Sequence, residues 1–522
     1  MNPSFKDRYS GPHPPPPPDG WCIIDGLPTE LLSHIFKLGV ELDTYDINPF
    51  ALDDSTHIKL HQKSFQILVS HVSKLWREIA ISLPTLWNDI AVDLDGNARS
   101  ASHAKELAKI YFERAKEAPL DIAINLGSSS RPSGTMDRIH TYATEILRLA
   151  YRCHTRWRSF ELTVPNFTFM AITLKLLDRI QAAPLLETLC LTNLSNNDYL
   201  ERFEPRSFAK LRVLPFHGNT PRLEKTVLWG VHADWERSTP TLFRNLVELE
   251  LAYHAHDVRP TYNQFVRLLT QSSNLRTLTL RESGPEGDID DWTENVEEDS
   301  DPEEIDVQLP RVSLPSVKNL SLYFKRNEDY VQDLTDYLDL PSLTELTLDL
   351  VHQDDTEYFR KLATVQPNGK NILQGLNALA LKDCYCTPEV IYSTLQHLEN
   401  AVSLEFNFLY LHYLWMYFLI GEFEKYPSIQ NPKIPCPKLE TITVQGLLGP
   451  DVLAIAKGRK EAGLPLKKVL MEEQDALDEK DERELRTLVK LERFEGVEED
   501  DDDGYLADIF QTIAVSESFL GR

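Results

Sequence analysis

At 522 residues, the chain is long enough to bury one large core or several smaller ones. Its hydrophobic content of 42% is ordinary for a globular protein, while a formal charge of −27 repels both nucleic-acid phosphates and anionic membrane surfaces. Nucleic acid and membrane are therefore not expected partners. The six cysteines are scattered and outline no disulfide framework, which fits a reducing, cytoplasmic or nuclear setting.

Residues 1–20 hold the run Pro14 to Pro18 and few apolar residues, and are expected to form a disordered, extended tail without the charged-then-apolar order of a signal peptide. Two helical stripes follow. Pro28 suits the first turn of a helix, because its missing N–H is not needed there, and Glu30 in the same turn suits the helix dipole. Leu31, Leu32, Ile35, Phe36 and Leu38 then recur at helical spacing, with Gly39 as the expected stop. Phe65, Leu68, Val69, Val72, Leu75, Trp76 and Ile79 form the second stripe, ended by Pro84. Stripes this wide need cover on more than one side.

The leading Leu27-Pro28, the Glu30-Leu31-Leu32 and Ile35-Phe36 steps, and Val72-Ser73-Lys74-Leu75-Trp76-Arg77 with the trailing Leu83-Pro84-Thr85-Leu86-Trp87 together resemble the fungal form of the F-box. The resemblance implies a small helical domain over 21–92 that docks a Skp-type adaptor, and through it a cullin ubiquitin ligase. Carried over by position, the adaptor-binding residues are Leu27, Pro28, Leu31, Ile35, Phe36, Val72 and Trp76. Two departures stand out: Ser73 occupies a position where many members have Cys, and the stretch from Gly39 to Ser64 is longer than in compact F-boxes.

Beyond it, Ile90-Ala91-Val92 and Leu120 to Ile124 alternate like short strands around a helix-patterned Ala104 to Ala118. Ile139 to Ala150 reads as a helix and Arg156 to Leu162 as a strand. One pattern then recurs: a leucine, two variable residues, then apolar-x-apolar. Good copies start at Leu186, Leu246, Leu275, Val317, Leu343, Leu376 and Leu439, and weaker ones at Leu211, Leu223, Ala401 and Leu466. Helix-forming segments such as Tyr262 to Thr270 and Pro388 to Leu398 lie between them. Phe408 to Ile420 is too short to cross a bilayer and reads as a buried helix.

This is the leucine-rich-repeat signature, in which each unit needs stacked neighbours to bury its apolar face. The expected fold class is α/β: a small N-terminal helical F-box followed by an irregular leucine-rich-repeat solenoid, a curved parallel sheet with outer helices, over 93–480. An acidic insertion at 284–308 interrupts it. Within it, Glu286 to Asp306 carries twelve Asp or Glu and no Lys or Arg. Residues 481–522 are expected to be an acidic helix and tail. The whole order resembles the F-box proteins of mushroom-forming fungi.

The sequence holds no Gly-x-Ser-x-Gly elbow, no phosphate loop ending in Gly-Lys-Ser/Thr and no His-Glu-x-x-His. Cys384 and Cys386 lack a second pair at zinc spacing, and His254 and His256 read as exposed loop polarity. No cofactor, metal or catalytic residue is expected, so the chain should position a substrate rather than react with it. Strand geometry turns the residues between the inward leucines to the open, concave face. There the candidate substrate-binding residues are Trp229, Glu248, Glu250, Thr279, Arg281, Tyr323, Glu345, Asp349 and Lys382, with Trp229 and Tyr323 as aromatic anchors. The expected partners are the Skp-type adaptor, the cullin behind it and a protein substrate. The other reading is a non-catalytic repeat scaffold whose F-box-like unit caps the solenoid.

Overall fold

A computed structural model describes residues 23–42, 65–94, 98–127, 133–195, 201–292, 311–325, 328–350, 354–364, 371–423 and 432–494, with the single positions 309, 426 and 429. The Pro-rich tail, most of the stretch between the two N-terminal stripes, residues 293–308 of the acidic run and residues 495–522 lie outside them. The chain divides into two compact units, the first running largely to Val317 and including Asp333–Leu340, the second built mainly from Lys318–Gln332 and the residues from Pro341 on.

The first unit opens with helices α1 (Thr29–Leu42), α2 (Phe65–Val72) and α3 (Lys74–Ser82). Gly39 does not stop α1 but lies inside it. A Cβ there would fall 2.1 Å from the Phe65 ring, so the bare backbone makes room for α2. Ser73 caps α3, its hydroxyl accepting from the Trp76 N–H at 3.2 Å. Leu32 and Phe36 of α1, Val69 of α2 and Ile79 and Ala80 of α3 are buried between the helices. The segment ends in Trp87, which is fully buried. Its Nε1 donates to Ala80 O at 2.8 Å, and its ring meets Tyr111 of the following helix edge-on.

Seven parallel strands follow: β1 (Asp89–Asp93), β2 (Leu120–Asn125), β3 (Trp157–Val164), β4 (Thr188–Asn193), β5 (Lys225–Trp229), β6 (Glu248–Ala252) and β7 (Thr277–Arg281). Between them run α4 (Ala98–Arg114), α5 (Ser133–Arg152), α6 (Phe167–Leu177), the single turn α7 (Trp235–Ser238) and α8 (Tyr262–Thr270). Trp292 also belongs to this unit. It is buried, stacks on Tyr262 at 5.0 Å and donates Nε1 to Glu286 O, so the acidic run is anchored where it starts.

Chain order continues with β8 (Val312–Ser313), β9 (Asn319–Phe324) and β10 (Leu338–Asp339), in which β8 and β10 pair within the first unit. The second unit sets β9 in parallel register with β11 (Glu345–Leu350), then β12 (Ala378–Leu381), β13 (Ser403–Asn407), β14 (Thr441–Gln445), β15 (Lys468–Glu472) and β16 (Lys490–Phe494). Each unit is thus an α/β assembly of parallel strands with helical connections.

The recurring pattern accounts for the register. Leu249 and Leu251 face the interior, in line with Leu278 and Leu280 on the next strand, and all four are buried. The leading Leu246 and Leu275 are buried too. A backbone device repeats alongside. At the entries of β5 to β7 and β11 to β15, two successive N–H groups donate to one carbonyl of the preceding repeat, for example Arg276 and Thr277 to Val247 O, and Glu440 and Thr441 to Val402 O. Every copy becomes a strand except that at Leu211. There Pro215 falls inside the apolar-x-apolar stretch and lacks the N–H a ladder requires, and the chain instead makes a tight turn with Phe216 and His217 at positive φ. The repeats also run past residue 480, since β16 pairs with β15. At the other end, β1 starts inside the 21–92 stretch, at Asp89, yet belongs to the sheet.

Candidate functional site

The three N-terminal helices, taken together as the helical unit, carry two apolar faces. Leu32, Phe36 and Val69 point inward. Leu31, Ile35 and Leu38, spaced i, i+4, i+7, point out, as do Leu68, Val72 and Leu75 across the Ser73 cap. Leu31 is 50% exposed, Val72 60% and Leu68 62%. Half of the large apolar side chains that are exposed among the described residues lie here, counting Ile24, although the helical segments form a small part of the chain. Such a concentration marks an interaction surface rather than scattered surface leucines.

Of the adaptor-binding candidates, Leu31, Ile35 and Val72 share this outer face. Pro28 is exposed at the α1 entry, where its carbonyl accepts from the Leu31 and Leu32 N–H groups, and Leu27 is half-buried beside it. Phe36 is placed differently: it is fully buried and holds Trp76 at a ring distance of 5.0 Å. Phe36 and Trp76 therefore set the packing that presents the outer face. The sequence marked Leu38, Leu68 and Leu75 as apolar stripe residues but did not say which side of each helix was covered.

Gln66 is the odd member of this unit. It is fully buried in α2, and neither polar atom of its amide has a hydrogen-bond partner. An unsatisfied buried amide costs about 1–3 kcal/mol. Gln66→Met is expected to stabilise α2 and α3. Hydrogen exchange over 65–82 should slow about tenfold, as a gain of about 1.4 kcal/mol requires. Unchanged or faster exchange would show that the amide is satisfied in solution.

The open-face candidates fall into two groups, one per unit. In the first, Arg281 is almost fully buried. Its Nε donates to Glu250 Oε1 at 2.9 Å and its guanidinium lies 5.6 Å from the Trp229 ring centre. Trp229 also packs on Tyr253 at 4.7 Å, and Thr279 is buried on the same strand as Arg281. Glu248 pairs with Lys225 at 3.0 Å. Burial pushes the neighbouring Glu161 carboxyl above its ordinary range, and the Cys190 thiol likewise. In the second unit, Lys382 lies 5.5 Å from the Tyr323 ring centre, and Tyr323 is in register with Asp349 and Asn319 with Glu345. Trp229 and Tyr323 are already covered by these neighbours, which leaves them little area to give a partner.

His254 is not exposed loop polarity. It is buried. Its Nε2–H donates to Val231 O at 3.0 Å, and its Nδ1 accepts from the Ser283 hydroxyl at 2.8 Å. His256 is exposed. Among the described residues no group of three or more His, Cys, Asp or Glu is arranged to hold a metal ion, and no helix is long and apolar enough to cross a membrane. Compared with known proteins, the chain matches no family model and no curated protein. The chemistry of these surfaces is that of contact: an apolar helical face, and sheet faces of paired charges and short polar side chains.

Proposed function

We propose that this chain is a substrate-recognition subunit of a cullin-type ubiquitin ligase. In this reading the helical unit of α1 to α3 is an F-box that docks a Skp-type adaptor, and the parallel-strand units are an irregular leucine-rich-repeat solenoid that holds a protein target. The observation carrying the first half is the outer face of Leu31, Ile35, Leu38, Leu68, Val72 and Leu75, exposed on helices whose inner faces are already satisfied. Placing six large apolar side chains in water is unfavourable, and a helix-on-helix partner would remove that penalty. The target half rests on the sequence resemblance.

Co-expression with the Skp-type adaptor of the same organism tests the reading. A stable one-to-one complex is expected, and Ile35→Asp with Val72→Asp should weaken it at least 100-fold, since charges would be buried at the centre of the contact. Both substitutions are on the surface, so the helical content of the free chain should not change. A complex indifferent to them, or no complex from folded protein, sinks the adaptor assignment.

A second reading has its own observation. Trp87 joins α3 to the first repeat, with the Arg114 guanidinium 4.3 Å above its ring as well as the Tyr111 contact. A helical unit bonded in this way would cover the first strand of the repeat array as a terminal cap, with or without an adaptor.

A further inference from the structure

We propose that the loops leaving β12, β13 and β14 form a docking surface for a peptide segment that combines large apolar side chains with a lysine or arginine. The surface belongs wholly to the second unit and uses no residue of the helical unit, so it stands whether or not an adaptor binds there.

Three neighbouring strands in register each release a large apolar side chain into solvent shortly after their C-terminal ends. These are Tyr385 after β12, Leu409 after β13 and Leu448 after β14, at 53%, 48% and 55% exposure. Tyr413 adds a fourth exposed side chain, its ring stacked on that of Phe408 at 5.8 Å. Loops at this end of parallel strands are where such folds place ligands.

The backbones under these side chains are fixed. Tyr385 N donates to Asp355 Oδ2 at 3.0 Å, while Asp355 N donates to Tyr385 O at 2.7 Å. Leu409 N donates to Asn407 Oδ1 at 3.1 Å, and Phe408 N to Gln445 O at 2.8 Å. Gly446 has a φ of +78°, and a Cβ there would lie 2.6 Å from Leu409 N. The Leu409 turn therefore packs directly on bare backbone. Apolar groups held this firmly lose little freedom when covered, which favours binding.

Charge selects the occupant. The ionisable neighbours acting on the Tyr413 phenol, besides Tyr417, are the carboxylates Asp451 and Asp475. Asp475 accepts from Gly446 N at 3.0 Å. The nearby Arg493 donates Nη2 to Glu473 O and Asp475 O at 2.8 Å each, and its charge offsets part of that of Asp475. With the Asp451 and Asp475 carboxylates beside it, this rim repels acidic segments and attracts a cationic side chain flanking the apolar ones.

The test displays random peptides to the full-length chain, with counter-selection on a Leu409→Ser, Leu448→Ser double variant whose thermal midpoint matches the wild type. Enriched peptides should carry at least two large apolar residues and a Lys or Arg. A synthetic example should bind the double variant at least tenfold more weakly, bind Asp451→Asn several-fold more weakly and lose affinity as salt rises. No enrichment, enrichment of acidic peptides, or peptides that bind the double variant equally well would overturn the proposal. Self-association in sedimentation that the double variant abolishes would also overturn it, because a second copy would then be the occupant.

Discussion

Lowering the pH from about 7.5 to about 5.5 is expected to remove about 2–3 kcal/mol of stability from the first unit, through two buried histidines. His254 is buried within its hydrogen bonds to Val231 and Ser283. His232 stacks on Phe167 at 5.3 Å and donates Nε2–H to Phe208 O. Burial lowers the His254 pKa to about 3 and that of His232 to about 4. In the unfolded chain both titrate near 6.5. Above that pH neither state is protonated and stability is full. As pH falls through 6.5 the unfolded chain takes up two protons that the folded chain refuses, and stability declines by about 1.4 kcal/mol per group per pH unit until the folded values are reached. Burial raises the Glu161 carboxyl, which works the other way: the folded chain holds that proton more tightly, so its contribution grows as the pH falls. Urea midpoints, or exchange over residues 225–283, measure the slope. His254→Gln keeps a hydrogen-bonding side chain without a titrating ring and should remove about half of it. An unchanged slope in that variant would rule out His254 as a source.

Trp87→Ala should be the most damaging single substitution at the junction of helices and repeats, at about 3–5 kcal/mol. It removes a fully buried ring, its edge contact with Tyr111, its place under Arg114 and the shorter of two hydrogen bonds to Ala80 O, the other coming from Leu83 N. Trp87→Phe keeps much of the packing and loses that bond, so about 1 kcal/mol is expected on top of any volume change. Where the loss appears separates the two readings of the helical unit. If the unit caps the repeats, exchange in β1 and β2 should accelerate together with that in α1 to α3. If it is a separable module, only the helices should loosen. Exchange mapped by mass spectrometry distinguishes these outcomes.

Much of the fold was legible because one short pattern carries its own register. Leu-x-x-apolar-x-apolar names the buried residues, the strand and the facing direction at once, so β4, β6, β7, β9, β11, β12 and β14 fall where the good copies lie. What escaped depends on distant residues or on a single missing atom group. Leu211 opens a fair copy, but Pro215 withholds an N–H. Gly39 reads as a helix stop until the Phe65 ring is found where its side chain would be. Lys490, Glu492 and Arg493 make β16 look like charged tail, yet Leu491 faces inward and Lys468 and Lys490 both pair with Glu492. His254 reads as loop polarity because the groups that bury it stand 23 and 29 residues away. On the helical unit, the width of the apolar stripes was evident, but only the packing of Phe36 and Val69 decides that Leu31, Ile35 and Val72 are left outside.

The paired N–H groups that share a carbonyl of the preceding repeat tie the entries of β5 to β7 and of β11 to β15 to their predecessors, and so give each seven-strand run a mechanical grain. A pull on one end of such a run loads a single repeat boundary at a time, because force has no shortcut across distant strands. Within either unit, extension in an optical trap should proceed as a series of small rips that peel repeats in chain order, and a translocating protease should advance by the same steps.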